Sequence, residues 1–198
     1  MLKLRWRVHR IYKIIRGMLL EQPIASSGHP NWLQGLQSAG LSLDRIANQI
    51  NHLYGAFNAI DFSITCAFYE LSRHPDWVKI LRTEFKQVLG DRPYPTRADF
   101  PLLAHTMNFM QEVLRMYPVT MAVARRTGAA IEVDGEQIPK GTEVMILLYA
   151  LHHHPDFWEN PETFDPNRWA NAIGPCPPYA YIPFLEGPVN VSAGIGRS

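Results

Sequence analysis

The sequence predicts a mainly helical fold with a small antiparallel β element. Apolar residues recur at steps of three and four between Ile46 and Leu71, which is the spacing of one face of a long α-helix. Two shorter stretches with helical spacing follow, and prolines interrupt them. Two strand-like runs then flank Asp134-Gly135, a dipeptide typical of hairpin turns. Helices therefore come first along the chain, a small sheet follows, and a long coil comes last.

The first 41 residues are expected to form a lead-in of one helix and one loop. Residues 2–20 have an amphipathic helical pattern, and six basic residues precede the first acid, Glu21. A targeting peptide or a membrane-surface helix is one interpretation of this segment, and a solvated helix face is the other. Residues 23–41 contain two prolines and three glycines, so we expect mostly loop with one short helix.

The long helix is expected over residues 42–73. Ser42 precedes the apolar pattern and is a typical N-cap residue. The helix is expected to end at His74-Pro75, because the residue before a proline disfavours the helical conformation. We expect one continuous helix, with a local irregularity allowed near residues 56–59.

Two more helices and the β element complete the regular structure. Helical spacing extends over about residues 76–88 and 101–116, and Pro118 stops the second of these helices. The hairpin is expected within residues 129–151. Residues 152–183 are irregular and rich in proline, asparagine and aromatic residues, so we expect a coil there.

Composition and charge argue against several function classes. The chain has 198 residues, of which 46% are apolar and 19% are charged, as in a globular domain. Its net charge of +1 argues against nucleic acid as a partner. No run approaches the roughly 20 apolar residues of a transmembrane helix. The two cysteines, Cys66 and Cys176, give no disulfide framework, so we expect a cytoplasmic protein with Cys66 in its core.

Three charged residues form a candidate structural cluster. Glu112 and Arg115 lie three residues apart on the third helix, and Arg168 follows in the coil. Two planar guanidinium groups can clamp one carboxylate and so hold a coil against a helix. A surface ion pair is the alternative for Glu112 and Arg115, since such pairs are common at this spacing. With Arg168 included, the sequence predicts one buried cluster in which both arginines hydrogen-bond to Glu112.

Three stretches of the chain resemble the cytochrome P450 family. The segment "QEVLRMYP" is similar to the family's Glu-x-x-Arg helix, and "FYELSRHPDW" is similar to the end of its long central helix. The segment "IPKGTEVMILLYALHHHPDFWENPETFDPNRW" resembles the strand and meander before the heme loop, including the family's second arginine. The resemblance covers about residues 42–188 in family order and spacing.

The resemblance implies a partial cytochrome P450 fold and heme-thiolate monooxygenase chemistry. In this family a cysteine thiolate binds the heme iron, and one oxygen atom of dioxygen enters an apolar substrate. Electrons reach the heme from a separate donor of the ferredoxin or reductase type. The implied ligands are therefore heme and a small apolar organic substrate. We expect a single incomplete domain, with residues 1–41 as lead-in, 42–188 as the family-matching region and 189–198 as an aberrant tail.

Catalytic positions of the family are altered in this chain. The resemblance places Asn58 and Ala59 where members carry an acid and an alcohol that relay protons to dioxygen. Asn58 can hydrogen-bond but cannot deliver a proton as an acid would, and Ala59 has no hydroxyl. Helix packing is the alternative role for both residues. Arg125 corresponds to an arginine that commonly pairs with a heme propionate, and a solvated Arg125–Arg126 pair is the alternative.

The run of three histidines, His152, His153 and His154, raises the question of a metal site. Three consecutive side chains do not easily converge on one ion. The family has a polar turn at this place, so the resemblance favours a turn over a metal site.

The heme loop lacks its metal ligand. The family pattern Phe-x-x-Gly-x-Arg-x-Cys-x-Gly matches at Phe184 and Gly187, which are therefore cofactor-binding candidates. Counting on, the cysteine position holds Val191, and the arginine and final glycine positions are also substituted. Valine offers no lone pair to iron, and Cys176 lies fifteen residues too early. As written, the sequence predicts no thiolate ligand.

One lost base in the coding sequence would account for these substitutions together. One set of codons allowed for residues 188–194, when read from the last base of the Pro188 codon, spells Arg-Gln-Cys-Leu-Gly-Arg, which is compatible with the family loop. We therefore expect a frameshifted chain that is truncated at both ends and inactive on its own. We also expect part of the apolar face of the long helix to stay exposed. A non-catalytic helical scaffold that binds a partner is the alternative function, and a minimal heme protein is a third.

Overall fold

The computed structural model of the chain describes four stretches: residues 13–17, 35–36, 38–170 and 177–186. The chain divides into two compact units, residues 1–61 and 62–198. Residues 13–17 are helical, and the rest of the helix predicted over residues 2–20 lies outside the described residues. Most of the loop predicted over residues 23–41 lies outside them as well.

The long helix is continuous, as predicted. Helix α1 is the 31-residue segment Leu43–Arg73, and it is unbroken through residues 56–59. The backbone N–H of Arg45 donates to Ser42 Oγ at 3.4 Å, so Ser42 caps the first turn. In this turn Ile46 and the adjoining Ala47 are fully buried.

The second and third helices follow at nearly the predicted bounds. Helix α2 is Pro75–Leu89, and a proline suits the first turn of a helix because the N–H it lacks has no partner there. The helix ends at Gly90, whose φ of 59° lies in the left-handed region that favours glycine. A 3₁₀ turn, Phe100–Leu102, leads into helix α3, Ala104–Met116.

A carboxylate from α2 caps the start of α3. Glu84 is buried, and its oxygens accept from the backbone N–H groups of His105 at 2.6 Å and Thr106 at 2.9 Å. The Thr106 hydroxyl donates to the same carboxylate at 2.6 Å. The first N–H groups of a helix have no partner within the helix, and a negative charge is favourable at this end. Glu84 therefore fixes α3 against α2.

The predicted hairpin is present. Strands β2, Ile131–Val133, and β3, Glu136–Ile138, pair antiparallel around the two-residue turn. Asp134 and Gly135 have φ values of 50° and 83°, and a tight hairpin turn needs positive φ at both positions. Aspartate and glycine tolerate this conformation better than most residues do.

A second antiparallel pair consists of one strand before the hairpin and one strand after it along the chain. Strands β1, Ala122–Arg126, and β4, Glu143–Leu147, pair with Ala122 opposite Leu147 and Arg126 opposite Glu143. The two pairs are separate two-stranded sheets. The small antiparallel β element is therefore confirmed, and it consists of two sheets where the sequence predicts a single hairpin.

The coil after β4 contains two short regular segments. Helix α4, Leu148–His152, follows the strand directly, and a 3₁₀ turn, Pro166–Trp169, lies further along. Residues 152–169 of this coil are called the meander below. The hydrophobic core of the second unit joins α1, α2, α3 and this coil, and it consists of Cys66, Ala67, Trp77, Leu81, Phe109, Val113 and Phe164. The core position expected for Cys66 is confirmed.

Much of the apolar stripe on α1 is exposed. Phe57, Ile60, Ile64 and Phe68 are 63%, 57%, 48% and 68% exposed, respectively. In the second unit the buried face of α1 instead carries small and polar residues, namely Cys66, Ala67 and Glu70. The expectation that part of the stripe stays exposed is therefore confirmed, whereas helical spacing alone could not indicate which face is buried.

Candidate functional site

Helix α3 supplies the centre of a buried charged cluster. Glu112 and Arg115 lie one turn apart, and both side chains are fully buried. Arg115 Nε donates to Glu112 Oε2 at 2.9 Å, and its Nη2 donates to Oε1 at 2.8 Å. This bidentate geometry is the strong form of an arginine–carboxylate pair.

The second arginine arrives from the 3₁₀ turn in the coil. Arg168 Nε donates to Glu112 Oε1 at 3.0 Å, as the sequence predicts. Two further donors come from the same part of the chain: the backbone N–H of Asp165 at 3.0 Å and Trp169 Nε1 at 2.9 Å. Glu112 therefore accepts from five N–H groups, which replace the water lost on burial.

Both arginines also bind the backbone of the meander. Arg115 Nη1 donates to the carbonyls of His152 at 2.9 Å and Pro161 at 2.8 Å, and its Nη2 reaches that of Thr163 at 3.2 Å. Arg168 Nη2 donates to the same Thr163 carbonyl at 3.1 Å. These contacts span the chain from residue 112 to residue 168, so the cluster fixes the path of a segment that has little regular structure of its own.

A buried histidine connects this cluster to the next part of the coil. His152 is fully buried at the end of α4, and its Nε2 accepts from the backbone N–H of Ile182 at 3.0 Å. Burial lowers the pKa of His152 to about 4, and the neighbouring charges of His153 and Arg115 act in the same direction. The imidazole is therefore neutral near pH 7.

The three consecutive histidines have separate surroundings. His153 Nδ1 lies 2.9 Å from the carbonyl of Tyr149, and His154 lies beside Asp156 in solvent-exposed coil. Within the described part of the chain, no group of three or more histidine, cysteine, aspartate or glutamate residues could hold a metal ion. The polar turn that the resemblance favours over a metal site stays a prediction.

A second buried carboxylate lies near the end of α1. Glu70 is fully buried and accepts from the hydroxyl of Tyr117, at the end of α3. Burial, together with this hydrogen bond to Glu70, raises the pKa of Tyr117. His74 Nε2 lies 3.2 Å from the same carboxylate, and the His74 ring stacks on Phe164. This arrangement joins α1 to α3 and the coil.

The candidate cofactor-binding residues are not brought together by described contacts. Arg125 lies in β1, is exposed, and donates to the carbonyl of the adjacent Ala124 at 3.0 Å. Phe184 is 41% exposed and follows the segment held by His152. Gly187 and Val191 lie outside the described residues, as does Cys176.

The two positions of the expected proton relay lie in the middle of α1. Asn58 is exposed and Ala59 is half-buried, and both belong to the unbroken helix. Asn58 carries an amide and Ala59 a methyl group, so neither provides the acid or the hydroxyl of the family's relay. A role in helix packing remains the alternative for both.

Some contributors to the site were missed in the sequence. Trp169 and the backbone of Asp165 were not expected as donors to Glu112, and His152 was considered only as one of three possible metal ligands. Trp169 could have been recognised as a donor from its position next to Arg168, since a buried tryptophan N–H usually has a hydrogen-bond acceptor. No signal along the chain links His152 to Ile182, thirty residues away.

Comparison with known proteins assigns the class. The Cytochrome P450 family model matches residues 28–190, so this chain belongs to the cytochrome P450 family. This family consists of heme monooxygenases that generally receive electrons from a redox partner. No helix in the described part of the chain is long and apolar enough to cross a membrane.

Individual relatives cover most of this chain. It is 35% identical to cytochrome P450 3A25 of Mus musculus over 161 residues and 33% identical to cytochrome P450 3A5 of Homo sapiens over 148 residues. It is also 34% identical to lithocholate 6-beta-hydroxylase of Mesocricetus auratus over 155 residues. These alignments cover 79%, 75% and 78% of this chain and 31%, 30% and 31% of the relatives. The chain thus spans about a third of their length.

At the family's cysteine position and among the described residues, the side chains do not fit a thiolate-ligated heme. The family position for the cysteine ligand holds Val191, whose side chain is a hydrocarbon. Cys66, the cysteine that the structure describes, is buried in the core beside α2 and α3, and burial raises the pKa of its thiol. Neither residue supplies a thiolate to a heme.

Proposed function

We propose that this chain carries the structural framework beside the heme loop of a cytochrome P450 monooxygenase but does not itself form the thiolate-ligated heme. The cluster around Glu112 supports the first half, because it holds the meander against α3 through buried and satisfied charges. The identity of Val191 carries the second half, because a hydrocarbon side chain has no donor for iron.

The inherited reaction is the monooxygenation of a small apolar organic molecule with dioxygen. The electrons would come from a donor of the ferredoxin or reductase type, and the relatives that match this chain support that reaction class. We place the protein in the cytoplasm, since two cysteines give no disulfide framework. Asn58 and Ala59 would leave proton delivery to water or to the substrate.

A reduced, carbon monoxide-bound spectrum tests this proposal. The unmodified chain, Val191→Cys and the matched control Val191→Ser are expressed with heme supplied. We expect the red-shifted band of a thiolate-ligated heme from Val191→Cys alone. Serine has nearly the same size as cysteine but no thiol, so the control separates ligation from a change in side-chain volume.

Two outcomes would contradict the proposal. A thiolate-type band from the unmodified chain would show that another sulfur binds iron, and Cys176→Ser would then identify it. A band from none of the variants, including one in which residues 189–194 are replaced by Arg-Gln-Cys-Leu-Gly-Arg, would show that position 191 is not the decisive defect.

A helical scaffold that binds a partner is the second candidate function. The observation in its favour is the exposed apolar surface of the second unit, where Phe68 and Met145 are 68% and 62% exposed. Light scattering of the purified chain measures its association directly. A monodisperse monomer with no tendency to associate at high concentration would count against this alternative.

A further inference from the structure

The segment from Ala180 to Glu186 leads directly into the family's heme-loop positions. Ala180 is buried, and the hydroxyl of Tyr181 donates to the carbonyl of Gln111 on α3 at 3.2 Å. A turn closes within the segment, where the N–H of Leu185 donates to the carbonyl of Ile182 at 3.0 Å. The segment contains no helix or strand, so individual contacts must define its course.

One of these contacts uses a histidine ring in place of a backbone carbonyl. The N–H of Ile182 donates to His152 Nε2 at 3.0 Å, and within the described residues no backbone carbonyl accepts from this N–H. A buried N–H without an acceptor costs free energy comparable to a lost hydrogen bond. The histidine ring therefore supplies the hydrogen-bond acceptor for the Ile182 N–H that no backbone carbonyl of the described residues supplies.

His152 also belongs to the charged cluster through its backbone. Its carbonyl accepts from Arg115 Nη1 at 2.9 Å, while its ring accepts from Ile182 and packs against Tyr181 at 5.3 Å between ring centroids. The same residue thus joins the arginine that fixes the meander and the segment that approaches the heme loop. His153 and the half-exposed His154 make neither contact.

The hydrogen bond defines the protonation state of the ring. An Nε2 that accepts carries no proton, so the proton of the neutral ring lies on Nδ1. His152 Nδ1 is buried and has no hydrogen-bond partner in the described part of the chain. A second proton would convert Nε2 into a donor facing the donor of Ile182, and the contact would be lost.

We propose that His152 is a positioning residue, which fixes the course of residues 180–186 through its unprotonated Nε2 and releases them when the ring is protonated. This inference goes beyond the proposed function and does not require heme. It concerns where the heme loop begins, whichever residue occupies position 191.

The groups that face the ring set the direction of its pH response. Arg115 approaches from α3 with Glu112 behind it, His153 adjoins it on the chain, and Tyr181 lies against it from the held segment. Burial first and then the charge of His153 lower the pKa to about 4 from its ordinary value of 6.5, and the charge of Arg115 acts in the same direction. The backbone of Arg115 and Leu114, which faces the ring from α3, acts in the opposite direction without reversing the shift. Opening of the segment should therefore become easier as the pH falls from about 6.5 towards about 4.

Hydrogen exchange and nitrogen NMR on the full chain test the proposal. The amide of Ile182 is followed in the unmodified chain, His152→Phe, His152→Gln and the control His154→Gln. Phenylalanine keeps a ring of similar size without the acceptor, so we expect exchange at Ile182 to speed up about tenfold or more. The glutamine amide oxygen can accept the same bond, so His152→Gln should stay within about threefold of the unmodified chain.

The unmodified chain supplies two further readouts. Its His152 ring should show a proton on Nδ1 and none on Nε2, and protection of Ile182 should fall between about pH 6.5 and pH 4. In His152→Gln this fall should be absent, whereas in His154→Gln it should persist. A merely packed histidine would not produce this difference, because glutamine would not restore packing of an aromatic ring.

Three results would overturn the proposal. These are unchanged exchange at Ile182 in a folded His152→Phe, a proton found on Nε2 in the unmodified chain, and equal pH dependence in the unmodified chain and in His152→Gln. If His152→Phe does not fold, the ring tautomer and the comparison with glutamine decide the matter.

Discussion

The region around Glu112 and the second-unit part of α1 invert the usual relation between polarity and burial. Glu112 and Arg115 are charged and fully buried, whereas Phe68 and Tyr69 on α1 are aromatic and 68% and 52% exposed. The charged residues have many partners in the nearby chain. The aromatic ones face outward on a helix whose buried side carries Cys66 and smaller or polar neighbours.

The difference between these two regions shows that a side chain is buried here where neighbouring residues supply its hydrogen-bond or packing partners. Five N–H groups converge on Glu112, so its charge is held without water. On α1 the described residues supply a cover for one face alone, which includes Ala67 and Glu70. Side-chain polarity therefore indicates whether a residue requires hydrogen-bond partners or apolar contacts when it is buried. The neighbouring elements decide whether those partners or contacts are present.

Removing the central carboxylate should produce the largest effect. Glu112→Ala leaves Arg115 buried without its counter-ion and frees Arg168 and Trp169 from their acceptor. We expect the free energy of unfolding of the second unit to fall by about 3–5 kcal/mol, as for other broken buried pairs. Urea unfolding followed by tryptophan fluorescence measures it.

The control for that experiment is an exposed ion pair. On α2, Lys79 Nζ lies 2.9 Å from Asp76 Oδ1, and the side chains of Asp76 and Lys79 are 85% and 78% exposed. Asp76→Ala should change the free energy of unfolding by less than about 1 kcal/mol. Equal losses from Glu112→Ala and Asp76→Ala would contradict the contrast between buried and exposed charges.

Acid should weaken the polar region through His152. Its folded-state pKa of about 4 lies below the ordinary 6.5, so its contribution to stability is present above about pH 6.5 and is lost as the pH falls through about 4. The loss is on the order of 3 kcal/mol at 1.36 kcal/mol per pKa unit. The difference in unfolding free energy between the unmodified chain and His152→Gln, measured against pH, isolates it. A difference that does not vary with pH would rule out this contribution.

Removing the cap of α3 should have an intermediate effect. Glu84→Ala leaves the first N–H groups of α3, including those of His105 and Thr106, without acceptors. We expect a loss of about 1–2 kcal/mol in the free energy of unfolding, because a helix cap typically contributes this amount. Glu84→Gln keeps one acceptor oxygen and should recover part of the loss. An unchanged thermal midpoint for Glu84→Ala would show that water replaces the carboxylate.

The exposed face of α1 should give the smallest effect on stability. Phe68→Ser should change the free energy of unfolding by less than about 0.5 kcal/mol and reduce self-association in light scattering. The adjacent Ala67 is 9% exposed, so Ala67→Ser, which adds a hydroxyl at a buried position, should cost more. A larger loss from Phe68→Ser than from Ala67→Ser would mean that Phe68 is covered in solution.

Local features were largely predictable from the sequence. The helix predicted over residues 42–73 is observed at Leu43–Arg73, and Asp134-Gly135 forms the predicted turn. These features depend on periodicity, a cap and backbone conformations that particular residues favour. The contact of Glu112 with Arg115 was also predictable, because a bidentate donor and a carboxylate three residues apart on a helix complement each other. Arg168 was indicated as the second partner by the family-like position of its segment.

Nonlocal contacts were not predictable in the same way. The pairing of β1 with β4 joins Ala122 to Leu147, and neither strand shows a strict alternation that would indicate a sheet. The use of Glu84 as a cap for α3 and of His152 as an acceptor for Ile182 likewise depends on residues far apart in sequence. No local preference encodes such partners.

The sequence by itself determined the family, the positions of α1, α2 and α3, and the absence of a cysteine at position 191. These depend on residue identity and spacing along the chain. Only the tertiary structure decided that Glu112 has five donors, that His152 holds Ile182 and that Phe68 is exposed. The physical reason is that a polar group is hydrogen-bonded, and an apolar side chain is buried, only by residues that the fold brings near it, and these residues can be far away in sequence.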